Sequence, residues 1–390
     1  MKIHIGVIFG GRSVEHEISV LSALQVIHAV DLERFEVVPI YISKEGEWYT
    51  GDALKSLENY KDIESLKTRS NRVVPTGDAG RLVLVRNPPV RLGKNIIAQV
   101  DVAFPVTHGT YGEDGCLQGL LEMWDVPYVG CDVTASALGM DKIRFKEVGK
   151  ARELPMVEHI WFFSKSWYTD PNPIRQEIRS RIAYPLIVKP ANLGSSIGVA
   201  VVASEDALDE AIAMTTSFAD RVIVEKLVPN VLEINCSVIG DQDEVTSSVC
   251  EEPLHSSEFL SYAEKYQSKA GSTKGMESAK RRIPADISDE LAQTIQELAR
   301  QTFLAIGANG VARIDFLINR VSGEIFVNEI NTIPGSMSFY LWTPSDLSFD
   351  GLINKLVQLA LKRSRDRSAL LRTNPVNILA LSAKGKGGKL

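Results

Sequence analysis

The segment ARIDFLINRVSGEIFVNEIN, residues 312–331, carries polar side chains at spacings that indicate a metal site. Two apolar stretches flank a short polar loop, a pattern that predicts a β-hairpin. If the hairpin is symmetric about its loop, Asp315 faces Glu329 and Arg313 faces Asn331, and residues two apart share a face. The carboxylate and amide oxygens of that cluster suit Mg²⁺. A solvated sheet face is the alternative, but the apolar residues in between require one face to be buried.

A glycine-rich loop follows a strand-like stretch in PLIVKPANLGSSIGVAVV, residues 185–202. It is not a Walker A loop, because no Gly-Lys-Ser/Thr opens a helix. The backbone N–H groups and the hydroxyls of Ser195 and Ser196 can still bind phosphate, and Lys189 supplies positive charge just before the loop. Taken alone, this loop could also be an ordinary hairpin turn with no phosphate-binding role.

Two other glycine-containing segments, GGRSVEHEIS and HGTYGEDGCLQGLLE, lie between a strand-like stretch and a helix. Glu15 is predicted in the first helical turn, where it could accept a substrate ammonium or only be favoured by the helix dipole. His108 lies among glycines that let a ligand approach the backbone, so it is a candidate ligand-binding residue. Glu113 and Asp114 follow it near the start of the predicted helix. As for Glu15, the helix dipole alone could explain these two acids.

The long polar stretch 251–283 contains the segment SYAEKYQSK. Loops longer than about 15 residues are usually functional lids or disordered segments. Lys265 and Tyr266 are the residues predicted to reach over a site from this loop.

The remaining elements follow from hydrophobic patterns. Near the start, strands alternate with helices, which predicts an α/β unit with a parallel sheet whose ligands lie at the carboxyl ends of the strands. Residues 44–99 are predicted to form an insert or a meander. Further strands are predicted at 161–164, 185–189, 198–203, 222–226 and 234–239. Further helices are predicted at 134–152, 205–218, 288–306 and 352–362.

Composition excludes several classes of protein. The chain has 390 residues, enough for two or three domains, and its net charge of −6 disfavours a nucleic-acid-binding protein. No apolar run reaches the roughly 20 residues of a membrane span, and the start lacks the features of a signal peptide. The four cysteines fit no zinc pattern and are predicted to be buried free thiols in the cytoplasm. Residues 362–390 hold eight Lys or Arg and one Asp, and the Gly- and Lys-rich end at 373–390 is predicted to be disordered.

Read in order, the motifs GGRSVEHEIS, HGTYGEDGCLQGLLE, MDKIRFK, VKPANLGSSIGV, AEKY, ARIDF and NEINTIPG resemble those of the D-alanine–D-alanine ligase family in the ATP-grasp superfamily. The resemblance extends from residue 1 to about residue 365. It implies a mixed α/β fold of three domains, an ATP-grasp fold with an N-terminal parallel-sheet domain. The implied divisions are an N-terminal α/β domain at 1–134, a central domain at 135–228, a C-terminal Mg/ATP domain at 229–365 and the basic tail at 366–390.

The resemblance also implies roles for individual residues. It assigns Asp315, Glu329 and Asn331 to Mg²⁺, in agreement with the hairpin argument. The residues implied to bind ATP are Lys146, Lys189, Ser195, Ser196 and Lys265 at the phosphates, and Glu225, Lys226 and Glu233 at the adenine and ribose. The residues implied to act on the amino acids are Glu15 at the first amine, Ser195 and Tyr266 as its hydrogen-bonding partners, Arg313 and the backbone N–H of Gly335 at the tetrahedral intermediate, and His108, Tyr340 and Leu341 at the substrates.

The implied reaction joins two D-alanines through an acyl phosphate, using ATP and Mg²⁺ (two ions, with Mn²⁺ as an alternative), for peptidoglycan synthesis. A cytoplasmic homodimer with no membrane span is expected. Two departures from the family pattern matter. Tyr340 and Met337 stand where the family usually has Ser and Thr, so a different acceptor is the second hypothesis. The segment that contains Glu233 is one residue longer than usual. A third hypothesis, a nucleotide-binding protein without catalysis, conflicts with the intact polar cluster.

Overall fold

Three β-sheets form the frame of the molecule, here in a computed structural model that describes residues 2–254, 281–371 and 373. The candidate lid residues Lys265 and Tyr266 and the end of the predicted tail lie outside the described residues. The strands are β1 Ile3–Gly10, β2 Phe35–Ile42, β3 Trp48–Thr50, β4 Asn71–Asp78, β5 Arg81–Arg86, β6 Ile96–Val100, β7 Val102–Pro105, β8 His159–Phe163, β9 Leu186–Pro190, β10 Ala200–Val202, β11 Arg221–Lys226, β12 Val231–Gly240, β13 Val245–Pro253, β14 Arg281–Arg282, β15 Gly310–Asn319 and β16 Ile325–Asn331.

The first sheet has the order β6-β5-β4-β3-β2-β1-β7. Strand β1 pairs in parallel with both β2 and β7, which confirms the predicted parallel unit. Strands β3 to β6 add to it as an antiparallel meander, one of the two alternatives for residues 44–99. The carboxyl ends of β1 and β7 therefore lie side by side, and the segments that contain Glu15 and His108 leave the sheet at neighbouring points.

The other two sheets are antiparallel. The second has the order β10-β9-β11-β8, and the third has the order β14-β13-β12-β15-β16. In the β15–β16 hairpin, Arg313 pairs with Asn331 and Asp315 pairs with Glu329, as predicted, but the register then shifts by one residue. The shift is a bulge, which places one more residue on β16 than on β15. Strand β13 was not predicted, because its polar residues hide the strand pattern.

The helices are α1 His16–Ala29, α2 Ile63–Thr68, α3 Cys116–Met123, α4 Val133–Met140, α5 Lys142–Ala151, α6 Ser164–Thr169, α7 Asn172–Arg181, α8 Leu208–Thr216, α9 Asp289–Ala305 and α10 Phe349–Ser368. The helix predicted at 134–152 is two helices, because the Asp141 side chain caps α5 by accepting hydrogen bonds from the N–H groups of Ile143 and Arg144. Helix α10 continues three residues into the segment predicted as tail. The predicted domain limits stay predictions.

Apolar residues pack on both faces of the first sheet, and the second and third sheets each contribute to a further apolar core. The core of the first sheet also contains the buried face of α10, at Leu352, Ile353 and Leu356, so the last helix packs against the first sheet. The third sheet buries Ile314, Phe316 and Ile330 against α9. None of the helices in the described ranges has both the length and the apolar character needed to cross a bilayer. Cys116 is exposed, so the prediction of buried thiols is wrong for that cysteine.

Candidate active site

The hairpin of the third sheet brings its four predicted polar residues together. Arg313 donates two hydrogen bonds to Asp315, from Nε to Oδ1 at 2.7 Å and from Nη2 to Oδ2 at 2.8 Å. Asn331 Nδ2 donates to Asp315 Oδ2 at 3.0 Å. Glu329 is the cross-strand partner of Asp315. Burial disfavours the charged form of Arg313, but the Asp315 carboxylate outweighs burial and holds the pKa of Arg313 well above its ordinary value.

This cluster fits a magnesium ion that shares its ligands with a substrate. Among the described residues, no group of three or more His, Cys, Asp or Glu side chains could hold a metal by itself. Asp315, Glu329 and Asn331 offer two carboxylates and one amide. Mg²⁺ is usually held by one or two carboxylates and completes its shell with water and phosphate oxygens, so the set is adequate only if a phosphate is also present.

A second charged cluster is buried in the second sheet. Lys189 Nζ donates to Glu225 Oε2 at 2.9 Å, and Lys146 Nζ from helix α5 lies 3.4 Å from Glu225 Oε1. Burial raises the pKa of Glu225, but the two ammonium groups outweigh it and bring that pKa to about 2. Burial lowers the pKa of Lys146. With all three groups charged, the cluster has an excess of one positive charge.

Two further carboxylates, those of Glu329 and Glu233, act electrostatically on Lys189 of this cluster. Both Lys146 Nζ and Glu225 Oε1 are buried without a hydrogen-bond partner in the described part of the chain. Buried charges are normally paired or bound to a ligand. An anion such as a phosphate oxygen would satisfy the Lys146 ammonium.

Helix α5 links the two clusters. Lys142 Nζ donates to the carbonyl oxygen of Leu193 in the glycine-rich loop at 2.8 Å and lies 3.4 Å from Glu329 Oε2. Lys142 and Lys146 are four residues apart, so they share one face of the helix. Sequence reasoning missed Lys142, although its spacing from Lys146 in MDKIRFK was a usable signal. The loop itself places Ser195 and Ser196 in the left-handed region, with φ of 54° and 58°.

Glu15 is buried where the first sheet meets the glycine-rich loop. It is the residue before helix α1, not in its first turn as predicted, and its side chain makes no capping hydrogen bond. Instead, Ser195 Oγ donates to Glu15 Oε1. A Cβ on Gly194 would lie 2.8 Å from Glu15 Oε2, and one on Gly109 would lie 2.9 Å from the same oxygen. The backbone therefore closes around this carboxylate on two sides.

His108 is buried and forms a hydrogen bond with Ser22. The His108 Nε2 and Ser22 Oγ atoms are 3.1 Å apart, and the N–H of Ser336 donates to the same hydroxyl at 3.1 Å. Burial, together with the charge of Arg313, lowers the pKa of His108 to about 4. The ring is therefore neutral near pH 7. Ser22 is a second residue that sequence reasoning missed, since a lone helical serine carries no signal.

Glu113, one of the two acids after His108, joins the first sheet to the third. Its carboxylate accepts hydrogen bonds from the N–H groups of Gly109 at 3.0 Å and Ile333 at 3.2 Å. Helix α3 begins only at Cys116, so Glu113 is not a first-turn acid. Burial, with the nearby charge of Glu15, raises its pKa to about 8.

The turn after the hairpin places the remaining predicted residues. Gly335 begins a turn in which Ser336, Met337 and Ser338 all have positive φ. Tyr340 and Leu341 are buried at its end. Lys226 is exposed at the end of β11, and Glu233 is half-buried on β12. The contacts link Glu15 to the glycine-rich loop and, through Lys142, that loop to Glu329 of the hairpin, whereas Lys265 and Tyr266 lie outside the described residues.

Comparisons with known proteins find relatives over most of the chain. Residues 4–131 match the family described as D-ala D-ala ligase N-terminus, and residues 148–358 match D-ala D-ala ligase C-terminus. The chain is 38% identical to a D-alanine–D-alanine ligase of Thermosipho melanesiensis over 379 residues, which covers 96% of this chain and 99% of that protein.

Two solved structures have the same fold. A D-alanine–D-alanine ligase from Coxiella burnetii is 29% identical with a TM-score of 0.78, over 98% of this chain and 99% of that one. The VanG D-Ala:D-Ser ligase from Enterococcus faecalis is 33% identical with a TM-score of 0.77, over 92% of this chain and 100% of that one.

Proposed function

The chain belongs to the D-alanine–D-alanine ligase family, and we propose that it joins two D-alanine molecules with ATP to form D-alanyl-D-alanine for peptidoglycan synthesis. The observation that carries the proposal is the placement of the two charged clusters. The net positive Lys146–Glu225–Lys189 cluster suits phosphates, and the net negative hairpin suits a cation. Lys142 lies between them and contacts the hairpin.

In the first step, the donor D-alanine is activated. A carboxylate oxygen of the donor attacks the γ-phosphorus of ATP, the bond from that phosphorus to the β–γ bridging oxygen breaks, and ADP leaves. Lys146 and Lys189 bind the phosphates, assisted by Ser195 and Ser196 of the loop. Glu15 binds the donor ammonium, because it is a buried carboxylate that lies against that same loop.

Asp315, Glu329 and Asn331 would hold Mg²⁺, with two ions as the proposed number and Mn²⁺ as an alternative. When bound, Mg²⁺ offsets the negative charge that gathers on the phosphates. Glu225, Lys226 and Glu233 are proposed to bind the adenine and ribose. Glu225 also takes part in the lysine cluster, so it links the base to the phosphates.

In the second step, the amine of the acceptor attacks the carbonyl carbon of the acyl phosphate. The bond from that carbon to the phosphate oxygen breaks, phosphate leaves, and the amine loses a proton. Arg313 and the N–H of Gly335 stabilise the negative oxygen of the tetrahedral intermediate, which is usually the largest catalytic contribution. Lys265 and Tyr266 are proposed to complete the site, with Tyr266 next to Ser195. His108, whose ring is neutral, is proposed to bind the donor. Tyr340 and Leu341 line the acceptor side.

A second candidate function is ligation of D-alanine to a different acceptor. Tyr340 favours it, because a phenol ring replaces the small side chain expected there. The VanG D-Ala:D-Ser ligase, a structural neighbour, has a name that refers to an acceptor other than D-alanine.

The two candidates are separated by ATP turnover with D- and L-amino acids, singly and in pairs, with the products identified by mass. We expect dipeptide from D-alanine alone. Turnover only with a second, different amine or hydroxy acid would replace the first candidate with the second. Cytoplasmic location and a homodimer are parts of the proposal, and sedimentation of the purified protein tests the latter.

A further inference from the structure

Helix α1 packs against the first sheet, yet it also contacts the turn that follows the hairpin of the third sheet. Ser22 Oγ accepts a hydrogen bond from the N–H of Ser336 at 3.1 Å, and Ser336 Oγ donates to Gln25 Oε1. Both serines are buried. The helix therefore holds one residue of the turn through its backbone and through its side chain, and the mechanism above gives these contacts no role.

The turn has a conformation that needs such contacts. Ser336, Met337 and Ser338 have φ of 54°, 54° and 51°. This left-handed region is unfavourable for residues other than glycine, and it persists only where the surrounding structure holds it. A further contact comes from the side of the first sheet, since Glu113 accepts a hydrogen bond from the N–H of Ile333 at 3.2 Å. The turn is thus held at two points by residues outside the third sheet.

These contacts also fix the orientation of the Gly335 N–H. The carbonyl oxygen of Pro334 accepts a hydrogen bond from the N–H of Met337 at 2.8 Å. The peptide bond between Pro334 and Gly335 is trans, so the N–H of Gly335 points away from Met337. On the other side of Gly335, the N–H of Ser336 is bound to Ser22. The turn therefore orients this N–H, and helix α1 holds the turn.

The same helix follows the residue proposed to bind the donor ammonium. Glu15 directly precedes α1, and Ser22 and Gln25 come seven and ten residues later. Residues at these spacings lie on one face of a helix, and ten residues span about 15 Å. One rigid element therefore sets the distance between Glu15 and the turn that contains Gly335.

We propose that Ser22 and Gln25 are positioning residues for the second step, which hold the N–H of Gly335 against the negative oxygen of the tetrahedral intermediate; this inference rests on the proposed ligase function. The ammonium group and the carboxyl carbon of the donor belong to one small molecule, so the groups that bind them must keep a fixed separation. The tetrahedral intermediate forms only in the second step. Loss of a positioning residue should therefore slow the second step and spare the first.

The test measures the two steps separately in the complete chain with ATP, Mg²⁺ and D-alanine. ATP that carries ¹⁸O in the β–γ bridge moves this label to the other β-phosphate oxygens whenever the donor is phosphorylated and ATP forms again. The exchange therefore reports the first step, and dipeptide formation reports both steps. Ser22→Ala should raise the ratio of exchange to dipeptide by about 100-fold, the effect of misplacing a catalytic group by about 1 Å.

Ser336→Ala is a second variant, because Ser22→Ala also removes the partner of His108 and could fail to fold. It removes only the hydroxyl that is bound to Gln25 and leaves the backbone N–H on Ser22. The ratio should rise in the same direction but by less than in Ser22→Ala.

Thr50→Val is the matched control. Thr50 Oγ1 is a buried hydroxyl of the first sheet that donates to the carbonyl oxygen of Pro39 at 2.7 Å. It lies on β3, between β2 and β4, so the variant loses a buried hydrogen bond at a distance from α1 and the turn. Its ratio should equal that of the unaltered chain.

An unchanged ratio in a folded Ser22→Ala or Ser336→Ala chain would overturn the inference, and so would an equal rise in Thr50→Val. Exchange and dipeptide formation that fall in proportion would give these residues a role in the fold alone. An unaltered chain that makes no dipeptide from D-alanine refutes the proposed function itself. Dipeptide formation with the same ratio in every variant refutes only the positioning role.

Discussion

The two charged clusters of the molecule differ in burial, sign and origin. The Lys146–Glu225–Lys189 cluster is deeply buried and net positive, and its members come from one helix and two strands. The hairpin cluster is more open and net negative, and all four members come from one pair of strands. Glu329, for example, has a side chain that is 33% exposed, whereas that of Glu225 is 2% exposed. The difference indicates that the first cluster holds charge in place and the second remains accessible to a cation.

The largest expected effect comes from neutralising the open cluster. Glu329→Gln should lower kcat by about 1,000-fold and raise the Mg²⁺ concentration needed, because it removes a charged metal ligand at a site where charge stabilisation dominates. Its stability should change little, since the side chain is partly exposed. ATP turnover measured against Mg²⁺ concentration checks this. The control is Glu324→Gln on the loop of the same hairpin, and equal activity in both variants would contradict the metal assignment.

A substitution in the buried cluster should mainly lower the free energy of unfolding. Glu225→Gln leaves two buried ammonium groups facing each other, and breaking a buried ion pair in this way costs about 3–5 kcal/mol. The Glu158 carboxylate is a matched surface case, since it too contacts two cationic side chains, here one lysine and one arginine, but its own side chain is 42% exposed. Glu158→Gln should cost about 1 kcal/mol or less. Chemical denaturation curves measure both, and similar losses would remove the distinction between the clusters.

The smallest effect concerns His108, which lies between the first sheet and Arg313. Its pKa is lowered to about 4 in the folded state, and an unfolded histidine has a pKa of about 6.5. As the pH falls from about 6.5 towards 4, the unfolded chain takes up a proton that the folded protein refuses, so stability falls by up to about 1.4 kcal/mol per pH unit.

His108→Gln should remove this part of the acid sensitivity. His28→Gln, the same change at an exposed histidine, controls for the loss of an imidazole in itself. Thermal unfolding at pH 7 and pH 5 provides the measurement. An unchanged slope in His108→Gln would show that other groups cause the loss.

The two clusters also differ in how much of each could be predicted from the sequence. The pairing of Asp315 with Glu329 followed from strand alternation, because both strands are adjacent in the chain. The bulge beyond Asp315 did not, since the bridge that joins Met156 to Val327 comes from a distant segment. The resemblance placed Lys146 and Lys189 at the phosphates but gave no sign that both contact Glu225.

The central claim is that the positive cluster and the hairpin together transfer a phosphoryl group to the donor carboxylate. The most direct measurement uses D-alanine labelled with ¹⁸O in its carboxylate and follows the label by mass. Attack by the carboxylate on the γ-phosphorus, followed by attack of the amine on the carbonyl carbon, must leave one labelled oxygen in the released phosphate. The account predicts labelled phosphate with dipeptide as the other product. Unlabelled phosphate, or label that appears in AMP, would contradict it.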